Sequence, residues 1–169
     1  MVNIIFIMFD YFAKTAMRPP RREYEEEELL PGRMKTHFEH VSFSVECSKT
    51  KGEIRASFWR NKAYDVGQGR RCLCYFHPNA SARPEVISSK ILELARDLGN
   101  VHVCCMDFFG CGLSDGEFVS LGVRENDSIT ALLSVLASRF SQREFVLWGR
   151  SMGAVSVLRF LVDFEKARL

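Results

Sequence analysis

From Phe38 to Val45 apolar and polar residues largely alternate. That period of two predicts a half-buried strand. Lys51-Gly52 reads as a turn, and a second alternating run from Glu53 to Phe58 places Ile54, Ala56 and Phe58 on one face. Together they predict an antiparallel hairpin. Two nearly continuous apolar runs follow, Cys72 to Phe76 and Val101 to Met106. Strands buried on both faces of a parallel sheet read this way.

Between those runs, Ile87, Ile91, Leu94, Ala95 and Leu98 recur at helical spacing. Pro84 suits the start of that helix and Gly99 its C-terminal cap. A second helix is predicted after Ser120 as cap, with Ile129, Leu132, Leu133 and Leu136 on its apolar face. Glu144 to Trp148 forms a third central strand, and a last helix runs from about Met152 to Phe164 with Val155, Leu158 and Val162 as buried candidates. Strands alternating with helices predict an α/β fold, an antiparallel hairpin leading into a mostly parallel sheet with flanking helices.

Ahead of the strands lies a leader, residues 1–35, before a domain at 36–169. Met1 to Ala13 is apolar, too short to span a bilayer, and interrupted by Asp10. It lacks the basic start and cleavage site of a secretory signal. Lys14, Arg18, Arg21 and Arg22 follow, so residues 1–22 are compatible with resting on a membrane surface. The bland expectation is that Ile4, Ile5, Ile7 and Met8 pack on the domain. Arg18-Pro19-Pro20-Arg21 predicts a rigid spacer, Glu25 to Glu28 a solvated acidic face, and Gly67 to Gly69 a break.

Composition changes little. The 169 residues are 47% hydrophobic and 26% charged with a net charge of +2, ordinary for one globular domain. Near-neutral charge gives no reason to expect nucleic acid as a partner. The six cysteines (Cys47, Cys72, Cys74, Cys104, Cys105, Cys111) form no C-x-x-C pair. Cys72, Cys74, Cys104 and Cys105 lie in apolar runs and read as buried thiols of a reducing compartment, so the chain is expected in the cytoplasm, with membrane association open.

The chemistry gathers in the loops after the three central strands, where open parallel sheets bind ligands. The third is Gly149-Arg150-Ser151-Met152-Gly153, a G-x-S-x-G between a predicted strand and a predicted helix. That is the context of a nucleophile elbow, with Ser151 as nucleophile. The turn is sharp, so Gly149 and Gly153 must be small, and the following helix aims free N–H groups at developing negative charge. The second loop, Asp107 to Gly116, carries Gly110 and Gly112 for tight turns. Asp107 is expected to hold that loop through hydrogen bonds to backbone N–H groups rather than to act as a triad acid. Cys111 has no activating neighbour in sequence and is expected to be structural.

With these residues the chain resembles α/β-hydrolases of the serine aminopeptidase-like and monoacylglycerol lipase-like group, particularly uncharacterised plant and protist members. The segments are RPPRREY, CYFHPNASAR, MDFFGCGLSDGEFVSLGVRENDS and LWGRSMGA, spread from Arg18 to Ala154. The resemblance implies the N-terminal part of an α/β-hydrolase fold, ester, thioester or amide substrates that are often lipid-like, and no metal or organic cofactor. His77 to Arg83 resembles the oxyanion loop, so Asn79 and Met152 are implied as backbone N–H donors to the oxyanion, with His77 holding the loop. Pro78 departs from the usual glycine, and Phe108-Phe109 from a more polar pair.

In such folds the acid and histidine follow the serine in chain order. Only 18 residues follow Ser151, with Asp163 and Glu165 as acids and no histidine; His37, His40, His77 and His102 all lie upstream. The expectation is a serine hydrolase in which the acid and histidine are missing from this stretch. The alternative is an inactive truncated hydrolase serving as a binding module. Either way the strand Glu144 to Trp148 is expected to need a covering partner or further chain.

Overall fold

The computed structural model describes residues 11, 13–18, 20–49, 51–64 and 70–167. The apolar start, apart from residues 11 and 13, and the break at 67–69 lie outside them. Strands β1 (Phe38–Cys47) and β2 (Gly52–Asn61) pair antiparallel, with Val41 opposite Phe58 and Val45 opposite Ile54. The turn between them uses Lys51 at φ 55°. The hairpin is the expected one, extended at both ends.

The remaining strands are β3 (Arg71–Phe76), β4 (His102–Met106) and β5 (Glu144–Gly149). The sheet order is β1-β2-β4-β3-β5. β2 meets β4 antiparallel, and β3 is parallel to both β4 and β5. The parallel strands therefore end on one rim, which brings their three following loops together.

Among the described residues, helices α1 (Glu85–Ser88), α2 (Ile91–Leu98), α3 (Glu125–Arg139) and α4 (Met152–Lys166) flank the sheet. Against one face, Ile129, Leu132 and Leu136 of α3 and Val157 of α4 bury Phe43, Ile54, Phe58, Cys74, Cys104 and Met106. Against the other, Val86, Ile91, Leu92 and Ala95 bury Leu73, Tyr75, Val103 and Cys105. Full burial of each such aliphatic side chain contributes roughly 1.5–3 kcal/mol. Part of the leader joins this second core: Tyr24, Leu29 and Met34 are buried, and Trp59 Nε1 donates to the Leu29 carbonyl at 2.7 Å.

Three helix expectations need correction. The run Pro84 to Leu98 is two helices, not one. The Ser88 and Ser89 hydroxyls donate to the Glu85 carbonyl and Lys90 adopts φ 60°, so side chains replace the helical bonding there. The break rotates the second piece, which buries Leu92 and leaves Leu98 54% exposed. Gly99 still closes it at φ 70°. Helix α3 begins at Glu125, not beside Ser120; the Ser120 hydroxyl instead accepts from Arg124 N at 2.6 Å while Glu125 reaches back to Ser120 N.

The last correction concerns α4. Val155, Leu158 and Val162 are exposed, and Met152, Gly153, Ser156 and Val157 are buried instead. The helix is apolar on more than one side, so periodicity could not choose the face; contact with β3 and β5 does. On β5, Val146 and Trp148 are likewise exposed on the face opposite Phe145 and Leu147. Beyond β5 no strand pairs among the described residues. All six cysteines are buried, and none forms a disulfide.

Candidate active site

β5 ends at Gly149 and α4 begins at Met152, so the two residues between them must reverse the chain. Ser151 does so at φ 49° and ψ −117°, a conformation that costs about 1–3 kcal/mol for a residue with a side chain. The side chain is exposed above the sheet rim. Its glycines are forced. A Cβ on Gly149 would overlap the Gly153 carbonyl, and one on Gly153 would overlap the Phe76 carbonyl at the end of β3. Arg150 N also donates to the Phe76 carbonyl at 3.0 Å, so the elbow is pinned against β3.

The loop after β3 lies directly beside it, since a Gly153 Cβ would also come within 2.9 Å of the His77 carbonyl. The backbone N–H groups of Asn79 and Met152 have no hydrogen-bond partner among the described residues. Asn79 is fixed through its amide instead: Nδ2 donates to the Ala16 carbonyl at 3.1 Å, and Oδ1 accepts from Ala80 N at 2.9 Å. Pro78 is accommodated without its missing N–H. Its carbonyl accepts from His77 Nδ1 at 2.7 Å, and His77 Nε2 accepts from Phe108 N at 3.1 Å. The neutral imidazole thus bridges the first and second loops. Burial pushes its pKa down, against the opposing pull of Asp107.

The second loop is built around Asp107. Its carboxylate accepts from Arg83 N at 2.7 Å and Leu113 N at 2.9 Å, and Ser114 Oγ donates to its carbonyl. A Cβ on Gly112, at φ 46°, would overlap that carboxyl. Gly110, at φ 87°, donates from N to the Asp115 carbonyl. Arg21 of the leader donates to the carbonyls of Gly112, Ser114 and Gly116 from outside.

Three residues of this assembly carry no sequence expectation: Tyr24, Arg83 and Glu85. Arg83 is fully buried, 3.3 Å from Asp107 and 3.0 Å from Glu26, and donates to Ser57 Oγ and the Ala56 carbonyl. Burial opposes its charge, yet Asp107, Tyr24 and Glu26 outweigh it and raise its pKa. Tyr24 donates to Asp107 at 2.5 Å and accepts from Arg83 at 2.7 Å. The acidic run is therefore not merely solvated, since Glu26 is spent on Arg83 and Ser42. The available signal was a charge inside the otherwise small-residue segment Asn79 to Pro84.

Glu85 joins two loops. It accepts from Arg150 Nη1 at 2.6 Å, from Tyr75 Oη at 3.1 Å and from Ser81 Oγ. Burial works against its charge, but those hydrogen bonds prevail and hold the carboxyl below the usual range.

None of the four histidines is hydrogen-bonded to Ser151 among the described residues. His40 pairs with Ser57 Oγ at 2.9 Å and stacks on Trp59, and His102 Nδ1 accepts from Asn61 N. Asp163 accepts from Asn126 Nδ2 at 2.7 Å on the outer surface of α3 and α4. No cluster of three or more His, Cys, Asp or Glu suited to a metal occurs among the described residues. No helix there is long and apolar enough to cross a membrane.

No family model matches the chain, and no curated protein does. Solved structures do. An esterase from Pyrococcus furiosus superposes with a TM-score of 0.68 at 17% identity, covering 88% of this chain and 54% of the esterase. An α/β serine hydrolase without a lid from Xanthomonas campestris gives 0.59 at 19%, covering 75% and 57%. Est1E from Butyrivibrio proteoclasticus, with ferulic acid bound, gives 0.62 at 17%, covering 73% and 48%. The chain therefore has the α/β-hydrolase fold. It spans about half the length of the structures it matches.

Proposed function

We propose that the chain is the nucleophile-bearing part of a serine hydrolase acting on esters, thioesters or amides, in the manner of serine aminopeptidase-like and monoacylglycerol lipase-like enzymes. The carrying observation is Ser151 at φ 49° between two glycines that no Cβ can replace. A strained, exposed serine at the head of a helix is costly to keep unless its hydroxyl reacts.

In this reading Ser151 Oγ attacks the acyl carbon and the carbonyl oxygen becomes an oxyanion. The N–H groups of Asn79 and Met152 receive that charge. His77, Asp107, Gly110 and Gly112 hold the loops. The histidine that takes the serine proton, and the acid that orients it, come from polypeptide covering β5, whose Val146 and Trp148 stand open. The half-length match to other hydrolase folds supports this division. The substrate is a small acyl, lipid or peptide molecule, and residues 1–22 give the protein a means to rest on a membrane surface.

The test is labelling of the native protein in extracts of its source cells with a fluorophosphonate. Modification of the peptide bearing Ser151 is expected. A folded native protein that stays unlabelled while other serine hydrolases in the same extract react would overturn the reading. It would favour the alternative, a binding module on a hydrolase fold.

A further inference from the structure

The leader is stitched to both loops of the candidate site. Residues 13–17 are helical, and Arg18 N donates to the Lys14 carbonyl at 2.8 Å. Beside that turn the Ala16 carbonyl accepts from Asn79 Nδ2 at 3.1 Å, and the Met17 carbonyl accepts from Val119 N at 2.7 Å. Arg21 then donates to the carbonyls of Gly112, Ser114 and Gly116, and Tyr24 donates to Asp107. Ala16 thus holds the loop after β3, while Met17, Arg21 and Tyr24 hold the chain that follows β4.

The Ala16 contact has no substitute. Pro78 offers no N–H, and Ala80 N is spent on Asn79 Oδ1. Among the described residues, Asn79 Nδ2 to Ala16 is the hydrogen bond that ties residues 78–80 to another part of the chain. The ends of the loop have their own anchors, His77 on Phe108 N and Ser81 on Glu85. Between them Ala80 keeps φ 55°, a left-handed conformation that an untethered loop would leave. The Asn79 side chain is therefore held from within the loop by Ala80 and from outside by Ala16. A donor to an oxyanion helps most when it is already aimed, because it then costs no reorganisation at the moment of reaction.

We propose that the leader from Thr15 to Tyr24 is a strap that positions the oxyanion loop, with the Ala16 carbonyl holding Asn79 so that its N–H stays open to the oxyanion. The proposal rests on the reading of Ser151 as nucleophile. The segment RPPRREY thereby does more than space the chain: Arg21 and Tyr24 fasten the strap to the second loop and keep Ala16 on Asn79. Ala16 and Arg21 are positioning residues that act through Asn79.

Two substitutions in the native full-length protein test it. Arg21→Ala removes the three carbonyl contacts of an exposed side chain. Asn79→Ser keeps an oxygen for Ala80 N but is too short to reach Ala16. Hydrogen exchange of residues 79–83 is expected to speed up about threefold or more in Arg21→Ala, although Arg21 makes no hydrogen bond to that loop among the described residues. Labelling of Ser151 by a fluorophosphonate is expected to slow about threefold in Arg21→Ala and about tenfold in Asn79→Ser. The loss is expected in the maximal rate, with the half-saturating concentration unchanged. The double variant is expected to be no slower than Asn79→Ser, because both changes break one link. Circular dichroism checks the fold. Unaltered exchange at 79–83 in folded Arg21→Ala overturns the proposal, and so does an unaltered maximal rate in the folded variants. A wild-type protein that stays unlabelled overturns the reading of Ser151 instead, and the exchange comparison alone then decides the strap.

Discussion

Arg150 Nη1 lies 2.6 Å from Glu85 Oε1, tying the residue before Ser151 to the helix that follows the candidate oxyanion loop. The same carboxylate accepts from Ser81 within that loop. One side chain thus spans the two segments that carry Ser151 and Asn79.

Glu85→Gln is expected to slow fluorophosphonate labelling of Ser151 about tenfold, the cost of roughly 1.4 kcal/mol in positioning. Arg150→Ala is expected to give a similar loss, and the double variant no further loss. Additive losses in labelling kinetics would show that the two residues act separately.

The elbow's strain predicts opposite outcomes for two small substitutions. Ser151→Gly removes the side chain from φ 49° and is expected to stabilise the fold by about 1 kcal/mol, after the entropy cost of glycine. Gly153→Ala drives a Cβ into the Phe76 carbonyl and is expected to cost about 3 kcal/mol or more. Urea unfolding of both variants checks the pair. A stabilised Gly153→Ala would refute the geometry.

Acid is expected to destabilise the protein from about pH 6.5 downward. Burial lowers His77, and burial pushes His40 down to about 4, so both stay neutral in the fold when the unfolded chain is already protonated. The unfolded state then binds more protons, and stability falls as pH falls. Above pH 7 neither residue contributes a slope. Urea midpoints at pH 7.5, 6 and 5 measure the effect, and His40→Gln is expected to flatten it. A midpoint that rises on acidification would contradict both assignments.

Removing one member of the buried Arg83–Asp107 pair leaves the other charged and uncompensated. Arg83→Met is expected to cost about 3–5 kcal/mol, and Asp107→Leu a similar amount. The double variant is expected to lose less than the sum, by 1 kcal/mol or more in a double-mutant cycle, on the scale of about 0.5–3 kcal/mol for coupled neighbours. Strict additivity would remove Asp107 from its place as the anchor of the second loop.

The sequence alone determined the strands, the hairpin, the presence of helices between the strands and the position of Ser151. Those features follow from local rules. Period-two alternation marks Phe38 to Val45, unbroken apolar runs mark β3 and β4, and glycine spacing marks the turn. Tertiary structure decided what local rules leave degenerate. Helix α4 is apolar on several sides, and contact with the sheet selected Val157 over Val155 and Leu158. The break at Lys90 arose because serine hydroxyls and backbone N–H groups compete for the Glu85 carbonyl. The partners Tyr24, Arg83 and Asp107 stand 83 and 24 residues apart along the chain and meet only because β4 is inserted between β2 and β3. Charge pairing at that range leaves no period in the sequence, since its energy depends on the distance through the fold.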